Sequence, residues 1–197
     1  MLAALATSLA LSGQPAVGPP PEITVRLYQP FGSASETAAV EAAVHRIFSP
    51  TGIEVRWADC SAPSESWPSD SPCHHPATSG QVILRLLETH PQRPPCSQGT
   101  ALVPPNGAVG VFATLYLSEV ERFHRKTQTS RAELLGLFAA HEIGHLLLSA
   151  GHSANGIMRA RWTPRDLEPA VRSQQTFSKE EAERMRHNLL NQGKEPR

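Results

Sequence analysis

Hydrophobic and polar side chains alternate in short stretches through the first half of the chain, as they do in strands that bury one face. Prolines and serines are dense between these stretches, which predicts loops at 59–79 and 89–98. The predicted strands are 22–28 (EITVRLY), 53–58 (IEVRWA), 81–88 (QVILRLLE) and one or two within 108–117 (AVGVFATLYL).

Apolar residues at helical spacing predict four helices, two of which begin with a capping box: Ser130 is followed by Glu133, and Ser178 by Glu181. The order of elements predicts an α+β domain, in which a mostly N-terminal mixed β-sheet is backed by helices and a short C-terminal subdomain ends in a helix. The predicted helices run from Ser33 or Ser35 to Phe48, over 119–127, from Ser130 to Leu148 and over 178–191.

The length and the charge balance limit what this chain can be. With 197 residues it forms one compact domain with a core, which we place at 22–191 and expect to act as a monomer. Its 18 basic and 18 acidic residues cancel. No net field therefore attracts nucleic acid or an anionic membrane, and neither is an expected partner.

The first residues are nearly all apolar or small (MLAALATSLALS), and the run is too short to span a bilayer. Residues 1–17 are typical of a signal peptide that is cleaved between Ala10 and Val17, although no basic residue precedes the apolar run. The alternative is a simple N-terminal tail. A signal peptide would place the mature protein outside the cell or in the periplasm.

Three cysteines, Cys60, Cys73 and Cys96, lie in the proline- and serine-rich middle of the chain. None has a close CxxC partner, so they do not indicate a metal site. In an oxidising compartment one disulfide is expected, and Cys60–Cys73 is favoured because it would close the loop between them. Three unpaired thiols are the alternative, because pairing does not follow from sequence.

The long apolar helix carries the sequence His141-Glu142-Ile143-Gly144-His145, an HExxH motif. Residues four apart share one face of a helix, so His141 and His145 can reach one metal ion. Zinc with neutral histidine ligands and an open position lowers the pKa of a bound water. Glu142 is then the expected general base, taking a proton from that water and passing it to the leaving amine.

His152 is the candidate third ligand. If the helix continued, His152 would lie about 10 Å beyond His145 along the axis and could not reach the same ion. The chain must therefore leave the helix and fold back at 149–151, where Gly151 is expected to take the left-handed conformation.

The stretch HEIGHLLLSAGHSANGIMRARW, from His141 to Trp162, resembles the metzincin peptidases and especially their matrixin type. Their signature is HExxHxxGxxH followed by a turn that carries a methionine beneath the zinc. This sequence diverges from that signature, because its third histidine lies eleven residues after the first instead of ten and its glycine is displaced from position 148 to 151.

The resemblance implies a zincin-like fold and a Zn²⁺ metalloendopeptidase that cleaves peptide or protein substrates. By position, His141, His145 and His152 would be the metal ligands, Glu142 the general base and Met158 the methionine of the turn. The segment Gly107–Leu117 would be the edge strand that lines the cleft and pairs with an extended substrate. The alternative is an ordinary strand of the sheet.

Several alternatives stay open at the level of sequence. The third ligand could instead be Glu168, Asp166 or an acidic residue of 180–183. The protein could also be a non-catalytic exported module in which zinc only stabilises the fold. A structural site fills all four positions with protein ligands, so a fourth ligand such as Asp166, His124 or a cysteine would favour the module.

Other polar residues have simpler interpretations. His74 and His75 are expected in a solvated loop, with a second metal site as the alternative. Arg159 and Arg161, which flank the turn that carries Met158, are expected to face water instead of a substrate carboxylate.

Overall fold

The computed structural model describes residues 19–89, 98–105, 108–149, 151–168 and 174–192. Within these ranges it forms five strands and four α-helices of more than one turn. The strands are β1 (Glu22–Leu27), β2 (Glu54–Asp59), β3 (Gln81–Leu87), β4 (Gly99–Leu102) and β5 (Phe112–Tyr116). The helices are α1 (Ala34–Phe48), α2 (Leu117–Thr127), α3 (Arg131–Leu148) and α4 (Lys179–Asn191).

The five strands form one mixed sheet in the order β2-β1-β3-β5-β4. The first four of these run parallel, and β4 lies antiparallel to β5 at one edge, with Gly99 opposite Leu115 and Leu102 opposite Phe112. The parallel pair β1–β2 needs a crossover, which α1 supplies. The sheet thus ends in a short antiparallel edge strand on the side where α3 packs.

Alternate residues of the strands bury one face of the sheet under the helices. Ile23, Val25, Val82 and Leu84 are buried there. α1 and α3 pack against each other and against this face. They can approach closely because Gly136 has no side chain: a Cβ there would lie 2.4 Å from the Cβ of Ala43. α3 is consequently the central helix of the core.

The opposite face of the sheet is covered in part by the 59–79 loop. Cys60 and Cys73 form a disulfide there, with their Cα atoms 5.6 Å apart. The buried guanidinium of Arg26 on β1 donates from Nη1 to the carbonyl of His75 at 2.6 Å, and from Nη2 to the carbonyl of Pro76 at 3.3 Å. The loop is therefore held both covalently and by a buried cation.

α4 lies beside the end of α3. Asn188 donates from Nδ2 to the carbonyl of Leu147 at 2.8 Å, which satisfies one of the carbonyl groups left unpaired in the last turn of α3. Arg186 donates a hydrogen bond to the carbonyl of Thr51, in the 3₁₀ turn that follows α1. α4 thereby ties together the ends of the two main core helices.

The predicted fold class is confirmed, and so are the approximate positions of β1, β2, β3 and the four helices. β4 was not predicted, because GTAL is short and lies among prolines. The expectation that Gly107–Leu117 forms the edge strand is wrong: β5 is paired on both sides, and β4 occupies the edge. Within the described ranges, no helix has both the length and the apolar character to cross a bilayer.

Candidate metal centre

Two of the predicted ligands project from the same face of α3. His141 and His145 are one turn apart, and their Nε2 atoms lie 3.1 Å from each other. His141 is buried, with 4% of its surface exposed, whereas His145 is partly exposed. The four-residue spacing produces this proximity without help from any other element.

The third predicted ligand arrives on the segment after α3. The helix ends because Ser149 takes the left-handed conformation (φ 50°), and its N–H still donates to the carbonyl of His145. Its hydroxyl donates to the carbonyl of Ala108 at 2.5 Å, which stabilises this uncommon conformation. The prediction that Gly151 supplies the left-handed residue is therefore wrong, since its backbone does not take a positive φ.

After this turn the chain brings His152 back over α3. Its Nε2 lies 3.2 Å from the Nε2 of His145, and its ring stacks beside that of His141 with centroids 5.4 Å apart. Each of the three histidines offers one ligand nitrogen, and these three atoms all lie within 4.8 Å of one another. His152 itself is exposed, unlike the helix-borne pair.

The three nitrogens suit a zinc ion in spacing and in chemistry. A tetrahedral zinc with bonds of about 2.0–2.1 Å places its ligand nitrogens about 3.3 Å apart, close to the separations of 3.1 and 3.2 Å. Nδ1 of His141 lies 2.7 Å from the carbonyl of Ile157 and donates its proton there, which leaves the Nε2 lone pair directed at the cluster. Burial lowers the pKa of His141 to about 4, against the opposing effect of that hydrogen bond, so the imidazole is neutral.

No fourth protein ligand joins the cluster among the residues that the structure describes. Asp166 instead accepts hydrogen bonds from Thr163 and pairs with Arg159. His124 contacts the carbonyl of Thr129 through Nδ1 at 2.7 Å. Asp166 and His124, each considered as a possible fourth ligand, therefore bind other groups. One side of the histidine cluster faces a cleft.

The acidic alternatives for the third ligand also lie outside the cluster. Glu181 accepts from the backbone N–H of Ser178 at 2.8 Å and so completes the capping box of α4. Glu168 follows a short 3₁₀ turn, Pro164–Leu167. Of the candidates weighed on sequence, His152 is the one that the fold brings to His141 and His145.

Glu142 lies beside the ligands with only 3% of its surface exposed. Burial raises the pKa of its carboxyl to about 8. Its side chain packs against Gly99 of β4, where a Cβ would lie 2.6 Å from Cγ and 2.7 Å from Cδ of Glu142. A glycine at this point of the edge strand therefore makes room for the carboxylate.

Met158 is fully buried in the turn that follows His152. Its carbonyl accepts from the N–H of Ser153 at 2.9 Å. Its sulfur lies under α3 at Gly144, where a Cβ would be only 2.5 Å from Sδ. The turn thus places one side chain beneath the histidine helix, and its neighbouring carbonyl, that of Ile157, orients His141.

A cleft of about 380 Å³ opens above the three histidines and Glu142. β4 and the residues next to it form one wall, and the segment after Met158 contributes Ala160 to the other. The parts that sequence reasoning missed are β4, with Gly99, and the Ile157 carbonyl. The dipeptide Gln98-Gly99 carried no signal for a strand, and a backbone carbonyl has no residue-type signature.

Cysteines, a loop histidine and two arginines outside the histidine cluster were also assigned from the sequence. The structure forms the favoured Cys60–Cys73 disulfide, while Cys96 and residues 1–17 lie outside the described residues. His74 is exposed and contacts the carbonyl of Pro68, as expected in a surface loop. Arg161 is exposed as predicted, whereas Arg159 forms an ion pair with Asp166 instead of facing water.

Comparison with known proteins identifies the fold but no family. No family model matches the sequence, and no curated protein matches it. The structure of archaemetzincin from Methanopyrus kandleri is similar, with a TM-score of 0.54 and 16% identity over 88% of this chain and 97% of that one. Metalloproteinase-II from Bacteroides fragilis has a TM-score of 0.50 and 18% identity over 88% of this chain and 55% of that one. The chain therefore shares the zincin-like fold of these two structures.

Proposed function

We propose that this protein is a zinc-dependent metalloendopeptidase of the matrixin-like kind, with His141, His145 and His152 as ligands. The observation that carries the proposal is the convergence of three imidazole nitrogens beside a buried glutamate, with the open side of the cluster facing a cleft. The names of the two similar structures, archaemetzincin and metalloproteinase-II, support it.

The residues of the chain divide the proposed chemistry between them. Bound zinc would contribute Lewis acidity, which makes the scissile carbonyl more electrophilic and the attacking water more acidic. The Glu142 carboxylate accepts the proton of that water and delivers it to the leaving amine. Burial alone disfavours its ionised form, which the positive charge of bound zinc would favour. Ile157 holds the His141 ring through its carbonyl, and Met158 supports the helix from below.

A peptide substrate is supported by the geometry of β4. The carbonyl of Gln98 accepts from the N–H of Tyr116, so hydrogen-bonded and non-hydrogen-bonded pairs alternate along β4 and β5 from that point. By this alternation the N–H and C=O of Ala101 point away from β5, towards the open edge. An extended substrate can add to this edge as a further strand.

The alternative, a non-catalytic module stabilised by zinc, has less support. A structural zinc site is closed by a fourth protein ligand, and none is present among the described residues. Such a site also has no use for a buried carboxylate, whose desolvation costs free energy.

We further propose that the protein acts outside the cell or in the periplasm, as a monomer. The Cys60–Cys73 disulfide supports the proposed location, because such bonds persist mainly in oxidising compartments. The signal peptide proposed for residues 1–17 agrees with the same location. Mass analysis of the exported protein, which should lack that segment, would test it.

The test of the enzymatic proposal compares two glutamate variants. The wild type and Glu142→Gln should each bind about one zinc per chain, but Glu142→Gln should lose peptidase activity by about 10²–10⁴-fold, because the general base is absent. Glu183→Gln, at an exposed position on α4, is the matched control and should keep its activity. Metal content and cleavage of a casein substrate are measured together, and full activity in Glu142→Gln would refute the mechanism.

A further inference from the structure

The cleft above the histidines is walled mostly by small residues. Ala101 and Val103 line it from the β4 side, together with Gln98, Thr100 and the bare backbone of Gly99, and Ala160 lines it from the opposite side. The cleft is open to solvent, and its volume of about 380 Å³ is near the lower end of the range for ligand pockets. Little room therefore remains for bulky substrate side chains once the peptide backbone is in place.

The same walls carry no fixed charge. Apart from Glu142 and the three histidines, every described residue that lines the cleft is uncharged. The nearby cation Arg159 does not line it and pairs with Asp166. A charged substrate side chain would lose hydration in this cleft without gaining a partner, which is unfavourable.

The floor of the cleft also lacks depth. Trp162 fills the space beside His141, with ring centroids 6.4 Å apart, and continues into Phe138 at 6.1 Å. Trp162 is only 6% exposed, so its ring is part of the core and does not border an empty pocket. On the other side, the contact between Gly99 and Glu142 leaves no gap beneath β4. A large aromatic side chain therefore has no deep recess to enter at either place.

We infer that the cleft selects peptides whose residues beside the scissile bond have small, uncharged side chains, such as alanine, glycine, serine and threonine. This inference rests on the proposed peptidase function, since it concerns the substrate of the same site. Ala101 is the specificity-determining residue that the geometry points to, because it lines the cleft and its side chain lies on the same face of β4 as Gly99, which packs against Glu142.

The first experiment measures kcat/KM of the zinc-loaded full chain on internally quenched peptides that differ only at the two residues beside the cleaved bond. Small uncharged residues should exceed Phe, Lys and Asp in kcat/KM by about tenfold or more, the scale on which a pocket discriminates a misfitting group. Equal or better cleavage of the large or charged peptides would overturn the inference while leaving the peptidase proposal intact.

A binding measurement separates the two proposals if no peptide is cleaved. Zinc-loaded Glu142→Gln is titrated with the same peptides, each carrying a fluorescent label, and anisotropy is recorded. Tighter binding of the small-residue peptides, by about tenfold, supports the inference even if hydrolysis fails and the peptidase proposal falls. Equal binding of all peptides overturns the inference on its own.

A charge introduced at Ala101 tests the wall directly. Ala101→Asp should shift the preference towards Lys-containing peptides, with a rise of about tenfold in the Lys-to-Ala ratio of kcat/KM, because a carboxylate would then face the substrate. Ala101→Asn has nearly the same shape as Ala101→Asp without the charge and should keep the wild-type ratio. An unchanged ratio in Ala101→Asp would show that this wall does not contact the substrate side chains.

Discussion

The two helix-borne histidines and the loop-borne His152 reach the same point by different means. His141 and His145 are positioned by one turn of α3, whose core-facing residues are buried. His152 is exposed and lies on a segment with little regular structure. The first pair depends on local geometry, which any stable α3 supplies, whereas the third ligand depends on contacts between distant parts of the chain.

Those contacts can be traced from α3 to α4. Ser149 is tied to Ala108, the N–H of Ser153 donates to Met158, and the N–H of Ile157 donates to the carbonyl of Thr176 at 3.1 Å. The loop is therefore ordered by its backbone partners and by the buried Met158. This contrast predicts that the two kinds of ligand respond differently to mutation.

The largest expected difference is between His141→Ala and His152→Ala. Each removes a proposed ligand, so zinc affinity should fall in both by more than the 10–100-fold typical of losing a supporting partner. Without metal, His141→Ala should also lower the free energy of unfolding by about 1–3 kcal/mol, because the Ile157 carbonyl loses its buried donor. His152→Ala should stay within about 0.5 kcal/mol of the wild type.

Zinc titration and urea unfolding in the presence of a chelator measure these two effects separately. Equal destabilisation of the metal-free protein by both substitutions would contradict the contrast between buried and exposed ligands.

A smaller effect is expected where the turn supports the helix. Gly144→Ala should destabilise the protein by about 1–3 kcal/mol, because its Cβ would overlap Met158 and come within 2.7 Å of Cε1 of Phe177. Gly151→Ala is the matched control, since nothing lies within 4 Å of a Cβ there. Thermal unfolding compares the two, and equal midpoints would show that the Met158 contact is not tight.

The smallest effect concerns the ion pair after the turn. Burial alone would raise the pKa of the Asp166 carboxyl, but hydrogen bonds from Thr163 and the Arg159 guanidinium outweigh it and lower that pKa. The stabilisation is therefore complete above the unfolded pKa of about 3.9 and is lost as the pH falls through the lower folded value. Asp166→Asn should cost about 1 kcal/mol at pH 7.

Urea unfolding at pH 7, 5 and 3 tests the sign of this dependence. The difference between the wild type and Asp166→Asn should be the same at pH 7 and 5 and smaller at pH 3. A difference that grows on acidification would mean that the carboxyl is not ionised in the folded protein.

Sequence reasoning succeeded where the determining interactions are local. The caps at Ser130 and Ser178, the face shared by His141 and His145, and the alternation in β1 follow from neighbouring residues. The turn before His152 could also be predicted, because a continuing helix would carry His152 about 10 Å beyond His145.

The failures arose where tertiary contacts decide. The GTAL segment forms β4 because it pairs with one side of β5. β5, which was predicted to be the edge strand, therefore lies inside the sheet. Ser149 takes the left-handed conformation at the place predicted for Gly151 because Ala108 is within reach of its hydroxyl. The Ile157 carbonyl and the space at Gly99 likewise depend on which segments lie side by side.

The position of α4 in the chain has a consequence for synthesis. The three histidines precede α4, yet the carbonyl of Leu147 near the end of α3 is satisfied by Asn188, and the turn at Ile157 is held by Thr176. A nascent chain that has released His152 but not residues 176–188 from the ribosome therefore lacks both supports. We therefore expect the histidine cluster to assemble only after the last helix has emerged.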